Sequence, residues 1–221
     1  MKRFVPVIFL ALLAAACKTP PPQNEYMTAD TDPISAGSIA AGTQGPFSSR
    51  LRQTELLVTY HPRTDSVEFQ FPYQTVTYRQ YWNTLNREAL LAAISQYQSD
   101  FAAKNLPVMR RSKMRRAYGT LEALTEWGSL RLMITARGRP AVELGYTFVQ
   151  NSPYFIITQR EAKNELVTGE SQNTSLLITL FFTRAMAADL AAALDRSRLL
   201  SLLPDAPLPA GGPDGLSPDE Y

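Results

Sequence analysis

The chain has 221 residues, with 22 Lys and Arg against 20 Asp and Glu, one cysteine (Cys17) and one histidine (His61). A single cysteine excludes an internal disulfide framework and any zinc or iron–sulfur site built on several thiolates, and a single histidine excludes a His-rich metal site. Imidazole catalysis would have to use His61, because no other side chain has an unperturbed pKa near neutrality. With 45% hydrophobic residues the composition is globular, and the length suits one domain or at most two small ones.

In chain order, residues 1–17 come first and read as a secretion signal. Lys2 and Arg3 form a positive start, and Phe4 to Ala16 form an uncharged, mostly apolar run interrupted by Pro6. A spanning helix needs ~20 apolar residues, so this run is too short for a stable anchor but fits the core of a cleaved signal. It ends in Leu13-Ala14-Ala15-Ala16-Cys17, which resembles the lipobox of bacterial lipoproteins, with Ala14 where that family prefers Leu. The resemblance implies diacylglyceryl attachment at the Cys17 thiol, cleavage just before it and acylation of the new N-terminus. At ~0.8 kcal/mol per buried CH₂, two or more chains hold a protein stably at a membrane. Lys18 follows the cysteine in place of the Asp associated with inner-membrane retention, which points to the outer membrane, periplasmic or surface-exposed.

Without residues 1–17 the chain carries 20 basic and 20 acidic residues, unevenly placed: nine basic and two acidic fall in 104–139, none and four in 204–221. Residues 18–49, with Pro20-Pro21-Pro22 and then Gly37, Gly42 and Gly45 among small residues, lack a run able to bury a face and read as a flexible tether of ~30 Å r.m.s. reach. Residues 50–203 are the expected single domain, and 204–221 an acidic, Pro/Gly-rich disordered tail.

Within the domain, 51–60 and 65–71 flank His61-Pro62-Arg63-Thr64 as a hairpin, with Val67, Phe69 and Phe71 on one face, and 74–79 extends it. Leu90, Ile94, Tyr97 and Phe101 make one stripe of a helix over 83–104, capped by Asn83 or Thr84. Strands are expected at 113–127, 130–136, 141–149 and 154–160, in meander order. A polar loop over 161–173 leads to a central strand, 175–182, apolar on both faces, and Ala-rich 184–200 forms a second helix. The expected class is α+β, an antiparallel meander with two helices on one face; by analogy of element order it resembles helix-grip folds.

No phosphate-binding loop and no G-x-S-x-G elbow occurs. His61 reads as a turn residue. Glu122 and Glu126, four apart on one strand, are ~13 Å apart along the backbone, too far for a carboxylate pair, although Glu55, Glu68 and Glu143 from different strands could converge. Two groupings remain. One is basic: Arg110, Arg111, Lys113, Arg115 and Arg116, reinforced by Arg131, Arg137 and Arg139. It is a candidate anion-binding patch for lipid headgroups or an anionic envelope polymer rather than nucleic acid. The other is aromatic: Tyr60, Phe69, Phe71, Tyr73, Tyr78, Tyr81 and Trp82, read as core before ligand pocket. The sequence expectation is therefore a non-enzymatic, membrane-anchored envelope protein without metal or cofactor. The alternative is a carrier or sensor of a small apolar ligand held between sheet and helix.

Overall fold

The computed structural model describes residues 33–45, 48, 50–106, 117–129, 134–168 and 173–203. Ten antiparallel strands form one sheet: β1 (Ile34–Gln44), β2 (Leu51–His61), β3 (Ser66–Tyr73), β4 (Val76–Trp82), β5 (Ala117–Glu122), β6 (Leu124–Ser129), β7 (Ile134–Gly138), β8 (Ala141–Val149), β9 (Ser152–Gln159) and β10 (Ile178–Phe182). Their order is β5-β8-β9-β10-β1-β2-β3-β4-β6-β7. Helix α1 (Thr84–Ala102) follows β4, and α2 (Arg184–Leu194) with the short α3 (Arg196–Ser201) follows β10. The α+β class with an antiparallel sheet holds, but strand succession is not a simple meander.

The hairpin β2–β3 forms where the alternation placed it, with Val67, Phe69 and Phe71 opposite Tyr60, Val58 and, one strand on, Trp82, Gln80 and Tyr78. Asp65, at φ 44°, closes the 3-10 turn Pro62–Thr64 between them. The tether expectation is corrected over residues 34–44, which form β1, fifth of the ten strands and paired with β2 along its length. Its buried apolar side chains are Ala36, Ala41 and one larger residue, Ile39. With a single bulky residue buried among alanines and glycines the strand lacks the apolar alternation that marks strands, and Gly37, at φ 105°, carries the register shift opposite Val58.

The expected strand 113–127 is instead two strands broken at buried Ala123. β5 pairs with β8, while β6 pairs with β4 and β7. Thr120 faces Glu143 and Thr125 faces Gly138, so β5–β6 and β7–β8 form a single long hairpin in continuous register. Its two halves attach to β4 on one side and β9 on the other. Both ends of the strand order are thereby covalently joined, and the sheet curls into a half-barrel. Gln80 of β4 donates to Gln159 of β9 at 2.6 Å, bridging strands far apart in the order. The strand expected at 130–136 is β7, at 134–138.

Helix α1 starts at Asn83, whose Oδ1 accepts from the Asn86 amide at 2.9 Å, and buries Leu90, Ala93, Ile94 and Tyr97. The expected second helix is interrupted at Asp195, which leaves helical geometry and accepts from the Arg198 amide to cap α3. Helix α1 packs on β3, β4, β5, β8 and α2; α2 packs on β1, β9 and β10. The loop after β9 is stitched to the sheet edge. The Glu165 amide donates to the Arg137 carbonyl at 2.7 Å, and the Arg137 amide to Asn164 Oδ1 at 3.1 Å.

Candidate functional site: a polar strand ladder and a two-lobed cleft

Side chains alternate across a strand, so Glu68 and Gln70 of β3 face away from Val67, Phe69 and Phe71. Registration then sets a ladder of polar groups across β2, β3, β4, β6 and β7. His61 Nε2 lies 3.1 Å from Glu68 Oε2, and Arg79 Nε lies 3.5 Å from Glu68 Oε1 while donating to Gln70 Oε1 at 3.2 Å. The Tyr81 hydroxyl donates to Glu126 Oε2 at 3.2 Å, and Arg137 Nε to Glu126 Oε1 at 2.9 Å. Burial, with the negative charges of Glu68 and Glu126 beside it, pushes Tyr81 up to about 12. The phenol therefore stays protonated and donates across the physiological range.

Glu143, on β8, is held by Arg160 at 2.9 Å, and Glu55 lies exposed on β2 opposite Ala40. The three dispersed carboxylates sit on β2, β3 and β8, and Glu68 and Glu143 each have their own cation. Glu122 ends β5 and Glu126 belongs to β6. Among the described residues no group of three His, Cys, Asp or Glu is placed to hold a metal ion.

A second polar cluster ties α1 to the β2–β3 turn. Arg87, 2% exposed, donates Nη1 to the Asp65 carbonyl at 3.1 Å and Nη2 to both carboxylate oxygens, at 3.2 and 3.3 Å. Tyr60 and Thr84 hydroxyls donate to the same carboxylate at 3.0 Å each. Burial opposes the charge on Asp65, but the hydrogen bonds and positive charge of Arg87, with Thr84 and Tyr60, outweigh it and hold the carboxyl below its ordinary range. Every polar atom of this carboxylate has a partner, which marks it as a structural clamp rather than a reacting group.

Cys17, the basic residues Arg110, Arg111, Lys113, Arg115 and Arg116, and Arg131 lie outside the described residues. Of their expected reinforcements, Arg137 is committed to Glu126 and Arg139 is exposed. Six of the seven clustered aromatics are buried in the core, while Tyr81 lies on the polar face. Among the described residues no helix is long and apolar enough to cross a membrane.

One feature escaped sequence reasoning because it assembles from four separate segments. At the end of the sheet where β1 leads into β2 and β3 into β4, Gly45, Ser48, Tyr73 and Gln74 form a wall shared by two adjoining lobes. The first, about 390 Å³, adds Thr43, Arg52 and Pro72. The second, about 500 Å³, adds Gln44, Glu161, Leu176, Leu177, Thr179 and Phe181. The Tyr73 hydroxyl donates to the Gln44 carbonyl at 3.1 Å, fixing the wall. The Leu176 amide donates to the Tyr78 hydroxyl at 3.3 Å, and the Leu176 carbonyl accepts from Gln159, so the segment before β10 is moored to the sheet while its leucines face outward.

A curled antiparallel sheet with helices packed on it, an internally paired polar face and an open cleft at one end define an α+β domain. The chain belongs to the family described as "Uncharacterised Treponema protein", whose model matches residues 36–201. It is similar to an uncharacterized protein of Treponema pallidum (strain Nichols), 25% identical over 181 residues that cover 81% of this chain and 63% of that relative. The chain thus spans less than two thirds of the length of the relative it matches. No solved structure matches it.

Proposed function

We propose that the protein is a cell-envelope lipoprotein, anchored by acyl chains on Cys17, whose domain binds a partner rather than catalysing a reaction. The observation that carries the binding half is the contrast between sheet face and sheet end. On the face, Glu68, Glu126 and Glu143 are paired with Arg79, Arg137 and Arg160, and the His61 ring also contacts Glu68. At the end, polar and apolar side chains stand around an open cleft. The anchoring half rests on the Lys2-Arg3 start, the short apolar run and the single cysteine at its close. The outer membrane, with the domain on the periplasmic or exterior side, is the location this reading favours. The basic residues Arg110 to Arg116 would add contact with anionic headgroups or envelope polymer.

Buried aromatics favour recognition at the surface over carriage of an apolar ligand. Tyr97 of α1 touches Phe155 of β9, which touches Phe182 at the end of β10, two residues before α2. These contacts support a reading with both helices on one face in a helix-grip-like manner, the space between filled by rings. The test is metabolic labelling with palmitate: label is expected on the natural chain and lost with Cys17→Ser, and label retained by that variant overturns the anchoring.

A further inference from the structure

We propose that the two-lobed cleft at the β1–β2 and β3–β4 end of the sheet binds a short extended peptide, its acidic end against Arg52 and its amino or basic end against Glu161. Each lobe has the size of a small-molecule site, which runs ~300–1,000 Å³. Arg52 belongs to one lobe only and Glu161 to the other. Both are exposed, and neither has a side-chain ion-pair partner among the described residues, in contrast to the carboxylates of the polar face.

Guanidinium takes a carboxylate through two parallel hydrogen bonds, and the Glu161 carboxylate takes an ammonium. The side-chain amides of Gln44 and Gln74, which line the cleft, offer both donors and acceptors, as a peptide backbone requires, whereas the Ser48 and Thr179 hydroxyls are engaged by Arg50 and Thr158. Leu176 and Leu177, 38% and 42% exposed, supply a surface for one apolar side chain.

The alternative polar ligand, a sugar, is disfavoured by the same wall. Tyr73 and Phe181 are only 8% and 5% exposed, so neither ring presents the open face on which a pyranose would stack. The fixed hydroxyl of Tyr73 on the Gln44 carbonyl keeps the shared wall in place before a ligand arrives, which lowers the cost of ordering on binding.

The inference rests on reading the domain as a binding module. It is tested with the full chain in detergent micelles by saturation-transfer NMR and fluorescence anisotropy. The probes are synthetic tetrapeptides with a central leucine, a free amino end and either glutamate or lysine last, beside maltotriose. The glutamate-ended peptide is expected to bind, with saturation transferred to its leucine methyls. Arg52→Glu should weaken it at least tenfold and in turn admit the lysine-ended peptide, and Glu161→Lys should weaken the glutamate-ended peptide by a similar factor. Both positions are exposed, and circular dichroism of each variant is the check on folding. Affinity untouched by either reversal, no peptide binding at all, or binding of maltotriose in its place overturns the proposal. Palmitate incorporation at Cys17 is scored in the same preparations, so a failed cleft and a failed anchor are told apart.

Discussion

Asp65 ties the β2–β3 turn to helix α1. It sits in the left-handed region at the end of a 3-10 turn, and its carboxylate receives Arg87, Tyr60 and Thr84. Removing one partner of a buried ion pair leaves the other charge without compensation, at a cost of about 3–5 kcal/mol. Asp65→Asn should lower the stability measured by urea unfolding at pH 7 by that order. The folded pKa is depressed relative to the unfolded chain. The carboxylate's contribution is therefore fully present above the unfolded value near ~3.9 and is lost as pH falls through the lower folded value. Natural chain and variant should accordingly converge in stability on the acid side of about pH 4, and a constant difference down to the lowest pH would refute the linkage.

Gly138 poses the other residue-scale demand. A Cβ there would stand 2.6 Å from the Lys163 carbonyl and 3.3 Å from the Trp127 ring, because the loop after β9 lies directly over the end of β7. Gly138→Ala should cost about 1–3 kcal/mol, the usual range for overpacking, seen as a lower urea midpoint with an unchanged slope. None of this was readable beforehand. Asp65 read only as the first residue of the expected strand 65–71, and Gly138 fell between the expected strands 130–136 and 141–149; their partners, Arg87 and Lys163, lie more than twenty residues away.

Among the elements, the readable ones were those whose apolar residues are large. Leu90, Ile94 and Tyr97 lie buried along α1 as the 3.6-residue stripe requires, and Phe69 and Phe71 mark β3. A cap at Asn83 or Thr84 was also readable, since a short acceptor side chain at a helix start has a recognisable chemistry, and the structure uses Asn83. Asn83→Ala should cost about 1 kcal/mol, while Asn83→Asp should cost little, both read from thermal or urea midpoints. β1 was unreadable because Ala36, Ala41 and Gly42 bury little area each and resemble linker composition. Gly42 must stay small, since an added Cβ would meet Phe181 Cβ at 3.3 Å. The bend at Ala123 was unreadable for a different reason: apolar alternation records which face a residue takes, not which neighbour its strand pairs with.

For the whole molecule, the half-barrel depends on an element that lies before the expected domain start. β1 joins β10 to β2 and so connects the two halves of the sheet. A chain beginning at residue 33 should fold and melt cooperatively. A chain beginning at residue 50, the boundary composition suggested, should lack near-ultraviolet dichroism and a cooperative transition, because β2 and β10 would each present an open edge. Folding of the shorter chain would show the connection to be dispensable. The cleft was unreadable at this scale: Arg52, Gln74, Glu161 and Leu176 are unremarkable in sequence and meet only through the non-sequential strand order.

The central position of β1 also has a mechanical meaning. On the proposed anchoring, the sixteen residues 18–33 separate the lipid-bearing cysteine from Ile34, and even fully extended they reach only ~55 Å. That is half the span of residues 18–49 assigned to the tether from composition, so on that anchoring the cleft would operate in a correspondingly thinner layer above the bilayer. Any pull on the anchor would enter the molecule at Ile34, the start of a strand paired with β2 along its length and held by β10 at Gly42 and Thr43, rather than at an edge strand that could peel away singly.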